Sequence, residues 1–156
     1  MTIDTTFTNI GTQLESLLSG LVYPNEDLEE TDECPVFEGV LLGFPESDFR
    51  GFRFPLAVTY VKGASYANET FNKRNTPNYI QSVIGVIVTG NTQSRYAKIT
   101  EIMDLIQDKF ENDDNWIKLN NTVRRTEIES SALTIIPTGN ELSSIAVFSL
   151  KHHVYK

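Results

Sequence analysis

The clearest pattern of apolar and polar positions lies between residues 79 and 110, where a strand pattern runs directly into a helix pattern. From Ile80 to Val88 most residues are apolar and β-branched, and they occupy both alternating faces rather than one. β-branched side chains favour strands, and a strand that is apolar on both faces is typical of the covered centre of a sheet. The sequence therefore predicts a central strand here.

The same stretch continues into an amphipathic helix. Apolar residues recur every three or four positions from Tyr96 to Phe110, and acidic and amide side chains occupy the other side. This spacing places one apolar stripe along a helix, and the simplest packing puts that stripe on the preceding strand. Thr92 or Ser94 is the predicted N-cap, because a hydroxyl oxygen can accept a hydrogen bond from the unpaired N–H groups of a first turn.

The rest of the chain predicts one more helix and further strands. Leucines at helical spacing predict a helix over residues 7–21, capped by residues 4–6 and ended near Gly20. Its leucine-rich face is interpreted as packing on the sheet, with a subunit interface as the alternative. Strand patterns follow at about residues 36–42, 53–62, 123–129, 132–136 and 142–155. In the last of these, odd-numbered residues from Ile145 and even-numbered residues from Ala146 are predicted to face opposite ways.

Two connections carry most of the turn-forming and polar residues. Residues 43–51 are rich in glycine, proline and serine, and they are interpreted as a hairpin connection between two neighbouring strands. Residues 63–78, GASYANETFNKRNTPN, show neither a helical nor a strand period. A loop of this length is usually functional or disordered. It is interpreted as a surface loop, as an extended hairpin arm, or as an arm that docks on a partner chain.

Mixed strand runs with two helices predict an α+β fold. The expected architecture is a mixed, largely antiparallel sheet on which an N-terminal helix and a second amphipathic helix pack. The 156 residues correspond to a single domain over residues 1–156, with the polar arm at about residues 63–78. A chain of this size buries roughly 70% of its unfolded surface, and 40% apolar residues can supply the core.

Charge and cysteine content narrow the classes of protein. Thirteen Lys and Arg against 21 Asp and Glu give a formal net charge of −8, whereas a protein that grips nucleic acid needs clustered cations. Cys34 is the only cysteine, so neither an intrachain disulfide nor a cysteine metal cluster can form. A signal-peptide layout and an apolar run of ~20 residues are both missing. We therefore expect a soluble intracellular protein without a membrane partner.

No motif in the sequence indicates catalysis. His152 and His153 would point to opposite faces of one strand, so they cannot easily share a metal ion, and they are interpreted as a surface strand end. Neither a serine nucleophile elbow nor a phosphate-binding glycine loop is present. The sequence favours a protein that is not an enzyme. Two alternatives stay open: a metal-dependent hydrolase or nuclease that uses scattered carboxylates with one of these histidines, and a monomeric adaptor for a host protein.

The order of elements resembles that of the small tail-terminator and tail-completion proteins of long-tailed bacteriophages. The resemblance covers most of the chain in layout and size. It is carried by the helix at residues 7–21, the aromatic-rich segment at residues 44–54, the arm at residues 63–78, the stretch VIGVIVTGNTQSRYAKITEIMDLI and the final strand IAVFSLKHHVYK.

This resemblance implies a structural virion protein without catalysis or a cofactor. Such proteins form a ring, expected to be a hexamer, at the neck end of the tail tube, where they stop tube polymerisation and present a surface to the head connector. The implied partners are other copies of the chain, the tail tube protein and the head connector, with assembly in the host cytoplasm. Genomic DNA would pass through the lumen without specific binding, and an acidic subunit suits a channel that repels phosphate. Another neck component of the same layer is the alternative.

The residues that would contact partners are not fixed by the resemblance, so the candidates come from this sequence alone. The arm carries a basic pair flanked by aromatic residues, and one predicted strand carries two adjacent arginines. Aromatic residues and arginine are enriched at protein interfaces. The predicted contact residues are Tyr66, Phe71, Lys73, Arg74, Arg124 and Arg125.

Overall fold

The structure is a computed structural model, and it describes residues 3–24, 34–43, 52–66, 77–138 and 141–154. The described residues form three helices and five strands. In chain order these are α1 (Ile3–Ser19), β1 (Gly39–Leu42), β2 (Leu56–Tyr66), β3 (Pro77–Thr89), α2 (Thr92–Asn112), α3 (Asp114–Ile117), β4 (Arg125–Thr138) and β5 (Glu141–His153).

The five strands form one sheet in the order β1-β2-β3-β5-β4. β1 runs parallel to β2, and every other neighbouring pair is antiparallel. β3 has two strands on each side, so the predicted central strand is confirmed. The predicted fold class, α+β with a mixed and largely antiparallel sheet, is confirmed as well.

α1 and α2 pack on the same face of the sheet, which we call the helix face. Leu14 of α1 and Ile99 of α2 join Ile84 of β3 in one buried apolar cluster. Ala146 and Phe148 of β5 belong to that cluster too. The amphipathic stripe of α2 and the leucine-rich face of α1 therefore lie on the sheet, as the sequence predicts, and the even-numbered side of the last strand is the one that faces the helices.

The opposite face of the sheet carries a smaller apolar cluster. Leu56 and Val58 of β2 and Ile87 of β3 are buried there, and they pack against four partly buried side chains: Leu41, Phe52, Phe54 and Ile145. β3 therefore contributes buried residues to both faces, as expected for the central strand of a sheet.

The predicted hairpin between the first two strands is wrong. β1 and β2 are parallel, with Gly39 opposite Leu56 and Leu42 opposite Thr59. Parallel neighbours need a connection of roughly a dozen residues to return to the starting end, and residues 43–55 are long enough for that. The turn-forming composition of this segment was therefore a poor guide to strand direction.

The predicted loop at residues 63–78 is wrong at both of its ends. Gly63 pairs with Gln81, and Tyr66 pairs with Pro77, so β2 and β3 extend well into it as an antiparallel pair. This pairing agrees with the alternative of an extended hairpin. Residues 67–76 lie outside the described residues.

The strand predicted at residues 123–129 and the one predicted at residues 132–136 form a single strand, β4. An extra residue at Glu129 shifts the register between Ile128 and Ser130. A bulge of this kind exchanges the two faces of a strand. A fixed alternation therefore fails across it, which explains why the pattern suggested two strands.

Several local details also differ from the sequence expectations. Asn91, rather than Thr92 or Ser94, caps α2, because its Oδ1 accepts a hydrogen bond from the Ser94 backbone N–H at 3.0 Å. Tyr96 is 62% exposed and therefore does not belong to the buried stripe. α1 begins at Ile3, so residues 4–6 lie inside the helix rather than at its cap.

Candidate functional site

Three of the six predicted contact residues fall within the described residues, and they lie at one end of the sheet. Tyr66 is exposed at the end of β2, and Arg124 and Arg125 are exposed at the start of β4. Ser65, beside Tyr66, stands in one row across the sheet with Arg125. Adjacent strands lie ~4.8 Å apart, so three spacings separate β2 from β4. Phe71, Lys73 and Arg74 lie outside the described residues.

The charged groups at this end of β4 neutralise one another. Arg125 Nη2 lies 2.5 Å from Glu127 Oε1, and His153 Nε2 lies 3.4 Å from Glu127 Oε2. The hydrogen bond from His153 lowers the pKa of the Glu127 carboxyl, and the charge of Arg125 acts in the same direction. The start of β4 is therefore polar, exposed and internally paired.

On the helix face at the same end, a buried polar network joins three strands. His152 Nε2 lies 2.5 Å from Ser82 Oγ of β3, and His152 Nδ1 lies 2.7 Å from Thr126 Oγ1 of β4. All three side chains are at least 97% buried. A neutral imidazole has one donor and one acceptor nitrogen, and hydroxyl groups can fill either role. The hydroxyls of Ser82 and Thr126 can therefore satisfy both ring nitrogens of a neutral His152, one as acceptor and one as donor.

This network corrects the interpretation of the two histidines as a surface strand end. They do point to opposite faces, but His152 is fully buried and only His153 is partly exposed. Burial lowers the pKa of His152 to about 3, with a smaller contribution from His153. In a catalytic triad the second ring nitrogen of the histidine contacts a carboxylate, whereas His152 contacts the Thr126 hydroxyl there. The three side chains are also buried, so no substrate can reach them. The network therefore holds β3, β5 and β4 together.

The described residues also bear on the possibility of a metal site. No three His, Cys, Asp or Glu side chains among them lie close enough to share an ion. His152 already uses both ring nitrogens, and His153 contacts Glu127. Neither histidine is thus placed as a ligand beside a carboxylate cluster in this part of the chain.

Arg95 is a buried cation that sequence reasoning missed. It lies in the first turns of α2 with only 5% of its surface exposed. Its Nε donates to Ser144 Oγ at 3.0 Å, and its Nη1 donates to the carbonyls of Gly90 and Leu142 at 2.9 and 3.2 Å. The guanidinium therefore fastens the β3–α2 turn to the start of β5. Arg95 stands four residues before Ile99, on the buried side of α2, and this position in the apolar stripe is the sequence signal that could have found it.

A cavity of about 190 Å³ opens near the start of α2, between Phe54, Pro55, Val88, Thr89, Ser94 and Lys98. Binding pockets for small molecules usually enclose ~300–1,000 Å³. Its one cationic group, the Lys98 ammonium, lies 4.7 Å from the centre of the Tyr23 ring in a cation–π contact. This cavity is small and does not define a substrate site.

Exposed apolar side chains lie on both edge strands of the sheet. Six large apolar side chains are exposed among the described residues: Leu42, Tyr66, Tyr96, Leu133, Ile135 and Leu142. Leu133 and Ile135 lie on β4, which is one edge strand, and Leu42 lies on β1, which is the other. Hydrophobic residues on an unpaired edge mark a surface that can accept another chain.

Residues 130–135 of β4, which we call the β4 edge, are all exposed. Leu133 and Ile135 are cross-strand neighbours of Ala146 and Ser144, so they point to the helix face. The sequence SSALTI contains no charged residue. Within the described residues, no backbone hydrogen bond joins the outer side of this segment to another part of the chain.

β1 forms the opposite edge, and we call Gly39–Leu42 the β1 edge. Its sequence GVLL is also uncharged. Leu42 is 54% exposed and lies over α1, since a Cβ built at Gly11 would come within 3.3 Å of its Cδ1. Leu42 is therefore on the helix face. The two sheet edges share an absence of charge and an exposed apolar residue on the same face.

The chain matches no protein-family model and no curated protein sequence. Among the described helices, none is both long and apolar enough to cross a membrane.

Proposed function

We propose that this chain is a structural protein of a bacteriophage tail, a terminator that assembles as a ring on the end of the tail tube and receives the head connector. The observation that carries this proposal is the pair of uncharged sheet edges, each with an exposed apolar side chain on the helix face, in a protein with a net charge of −8. The order of elements, which resembles that of tail terminators, supplies the biological setting.

Exposed apolar residues on sheet edges favour an assembled protein over a monomer. Soluble monomers usually protect an edge strand with lysines, inward-pointing charges, prolines or bulges. Within β4 the bulge at Glu129 and Pro137 lie on either side of the β4 edge, and residues 130–135 between them contain no charge, proline or bulge. A surface that would otherwise promote aggregation is therefore best explained as one that another protein chain covers.

The buried polar groups support a structural role rather than catalysis. Ser82 with His152 is a hydroxyl–imidazole pair that resembles a nucleophile and its base, but it is closed off from solvent and linked to Thr126. Catalytic pairs need access to a substrate and a partner that stabilises the imidazolium ion. Stabilising the sheet is the function that this geometry can perform.

The charge balance supports the proposed passage of DNA. A ring of subunits that each carry a net charge of −8 repels phosphate. Such a ring also offers DNA few cationic side chains that could replace its counterions. In this proposal the DNA moves through the lumen without specific binding. Contacts to the tail tube and the head connector would then use the two ends of the ring.

The mass of the native assembly tests this proposal, measured by light scattering and native mass spectrometry at several protein and salt concentrations. We expect a hexamer, or a monomer that becomes one on addition of tail-tube protein, and rings in negatively stained electron micrographs. Polymerising tube protein should give shorter tubes in its presence, with bovine serum albumin as the inert control. A chain that stays monomeric with and without tube protein would overturn the proposal. Tight binding of a divalent cation by that monomer would favour the alternative of a metal-dependent hydrolase.

A further inference from the structure

The β1 edge and the β4 edge lie at the same level across the sheet. Gly39–Leu42 pairs with residues 56–59, and these pair with residues 84–87. Residues 84–87 pair in turn with residues 145–148, which pair with residues 131–134. The register thus places the middle of the β4 edge directly across the sheet from the whole of the β1 edge.

The two edges also run in opposite directions. β1 and β2 are parallel, and the three antiparallel pairs that follow reverse the direction three times, so β4 is antiparallel to β1. If a second copy is placed beside the first so that the sheet continues, β4 of one copy meets β1 of the next as an antiparallel pair. Antiparallel pairs are the commoner kind in mixed sheets.

Side chains match along this junction. In the continued register Leu133 lies opposite Val40, and Ser131 lies opposite Leu42. All four point to the helix face, because their row neighbours Ala146 and Phe148 do. Directly opposite residues in antiparallel strands point to the same face and contact one another. The junction therefore joins apolar and hydroxyl groups without burying a charge.

We propose that the sheet continues from one copy of the chain to the next, with residues 131–134 of one copy pairing with Gly39–Leu42 of its neighbour. This inference rests on the proposed ring, and it names the surfaces that build it. The contact joins two different surfaces of the chain, and repeated contacts of that kind close into a ring when the rotation between copies allows it. A second copy of the chain is the partner we propose for each edge, because the β1 edge and the β4 edge match in register, in strand direction and in side chains.

The test uses two single substitutions, each of which places a charge on one edge. Leu133→Lys blocks the β4 edge and Leu42→Lys blocks the β1 edge, and both side chains are already at least 40% exposed. Gln107→Lys is the matched control, because it adds the same charge at an exposed position of α2 rather than on an edge strand. Ser131→Lys and Leu42→Gln are second variants for the two edges. Circular dichroism confirms folding, and native mass spectrometry gives the mass of each assembly.

We expect each edge variant to be a monomer at concentrations where the wild-type chain and Gln107→Lys assemble. An equimolar mixture of Leu133→Lys and Leu42→Lys should then give a 1:1 complex, because one intact edge remains on each variant and the two intact edges fit each other. The mixture should not grow further, since the second junction would place two lysines side by side.

Two results would overturn the inference while leaving the proposed ring in place. One is a wild-type ring that survives both edge substitutions. The other is a Leu42→Lys variant that dimerises by itself while Leu133→Lys does not, which would indicate that two β4 edges pair with each other. A wild-type chain that stays monomeric with and without tube protein would overturn the ring as well as the junction.

Discussion

The two halves of β4 differ in almost every property, although they belong to one strand. The first half carries Arg125, Glu127 and Glu129 on its surface and buries Thr126 against His152. The second half, residues 130–135, is uncharged and exposed on both faces. The bulge at Glu129 separates them.

This difference shows how one edge strand can serve two purposes. The first half belongs to the fold, because its buried hydroxyl joins a network that spans β3, β5 and β4, and its charges discourage pairing with another chain. The second half pairs with β5 on one side only, its side chains are exposed, and it carries no charge that would repel a partner. Substitutions in the first half should therefore change the stability of the subunit, and substitutions in the second half should change its assembly.

The largest effect is expected from His152→Phe. The substitution leaves the hydroxyls of Ser82 and Thr126 buried without their partner, and each unsatisfied buried group costs about 1–3 kcal/mol. The free energy of unfolding, measured by urea denaturation at pH 7, should fall by about 2–5 kcal/mol. His153→Phe is the control, since this neighbour faces the other way and is only partly buried. Equal losses in the two variants would contradict the role assigned to the network.

Lowering the pH should also weaken the fold through His152. Its pKa in the folded protein is about 3, against an ordinary value of 6.5, so the unfolded chain binds the proton more readily. Linkage then makes stability fall as the pH drops from 6.5 towards 3, by about 2 kcal/mol between pH 7 and pH 5 for this group. The pH dependence of unfolding should flatten by that amount in His152→Gln. An unchanged slope would assign the acid sensitivity to other groups.

The exposed half of β4 should respond in the opposite way. Leu133 is 40% exposed and belongs to neither buried apolar cluster, so the free energy of unfolding of Leu133→Lys should stay within about 0.5 kcal/mol of that of the wild-type chain, compared at concentrations where both are monomeric. Its association should nevertheless be lost. A large loss of stability in the dilute monomer would mean that Leu133 belongs to the core, and the contrast between the two halves would disappear.

The smallest effect is expected from Arg125→Ala. Exposed ion pairs are worth about 0.2–1 kcal/mol, and the contact with Glu127 is more than 40% exposed on both sides. Stability should therefore change by less than about 1 kcal/mol, and the assembly mass should not change. Loss of the ring in this variant would place a subunit contact at the charged end of β4, where the sequence had predicted one.

Local patterns in the sequence predict much of this fold. The central strand β3 and the helix α2 follow from strong periodicities that tertiary packing reinforces, and the two faces of β5 follow from simple alternation. The direction of β1 could not be predicted, because turn-forming residues at positions 43–51 are compatible with a hairpin and with a return crossover alike. The bulge at Glu129 was equally hidden, since it shifts the alternation by one residue.

The functional surface was harder to find than the fold. Sequence reasoning chose charged and aromatic residues such as Arg124 and Tyr66, which signal an interface by their chemistry alone. The β4 edge is recognised instead by its lack of charged residues. An uncharged strand such as SSALTI cannot be distinguished from a buried strand until the strand order shows that it lies at the edge of the sheet. The contacts of Ser82 and Arg95 likewise join residues 70 and 49 positions apart, which no local pattern reports.

The buried position of Arg95 also has a consequence for proteolysis. Trypsin must draw a basic side chain into its own pocket, and the Arg95 guanidinium is held by Gly90, Leu142 and Ser144. Cleavage after Arg95 therefore requires the first turns of α2 to come away from β5, whereas the exposed Arg124 offers its side chain without any such opening. The rate of cutting at this single bond would report how often the helix lifts from the sheet.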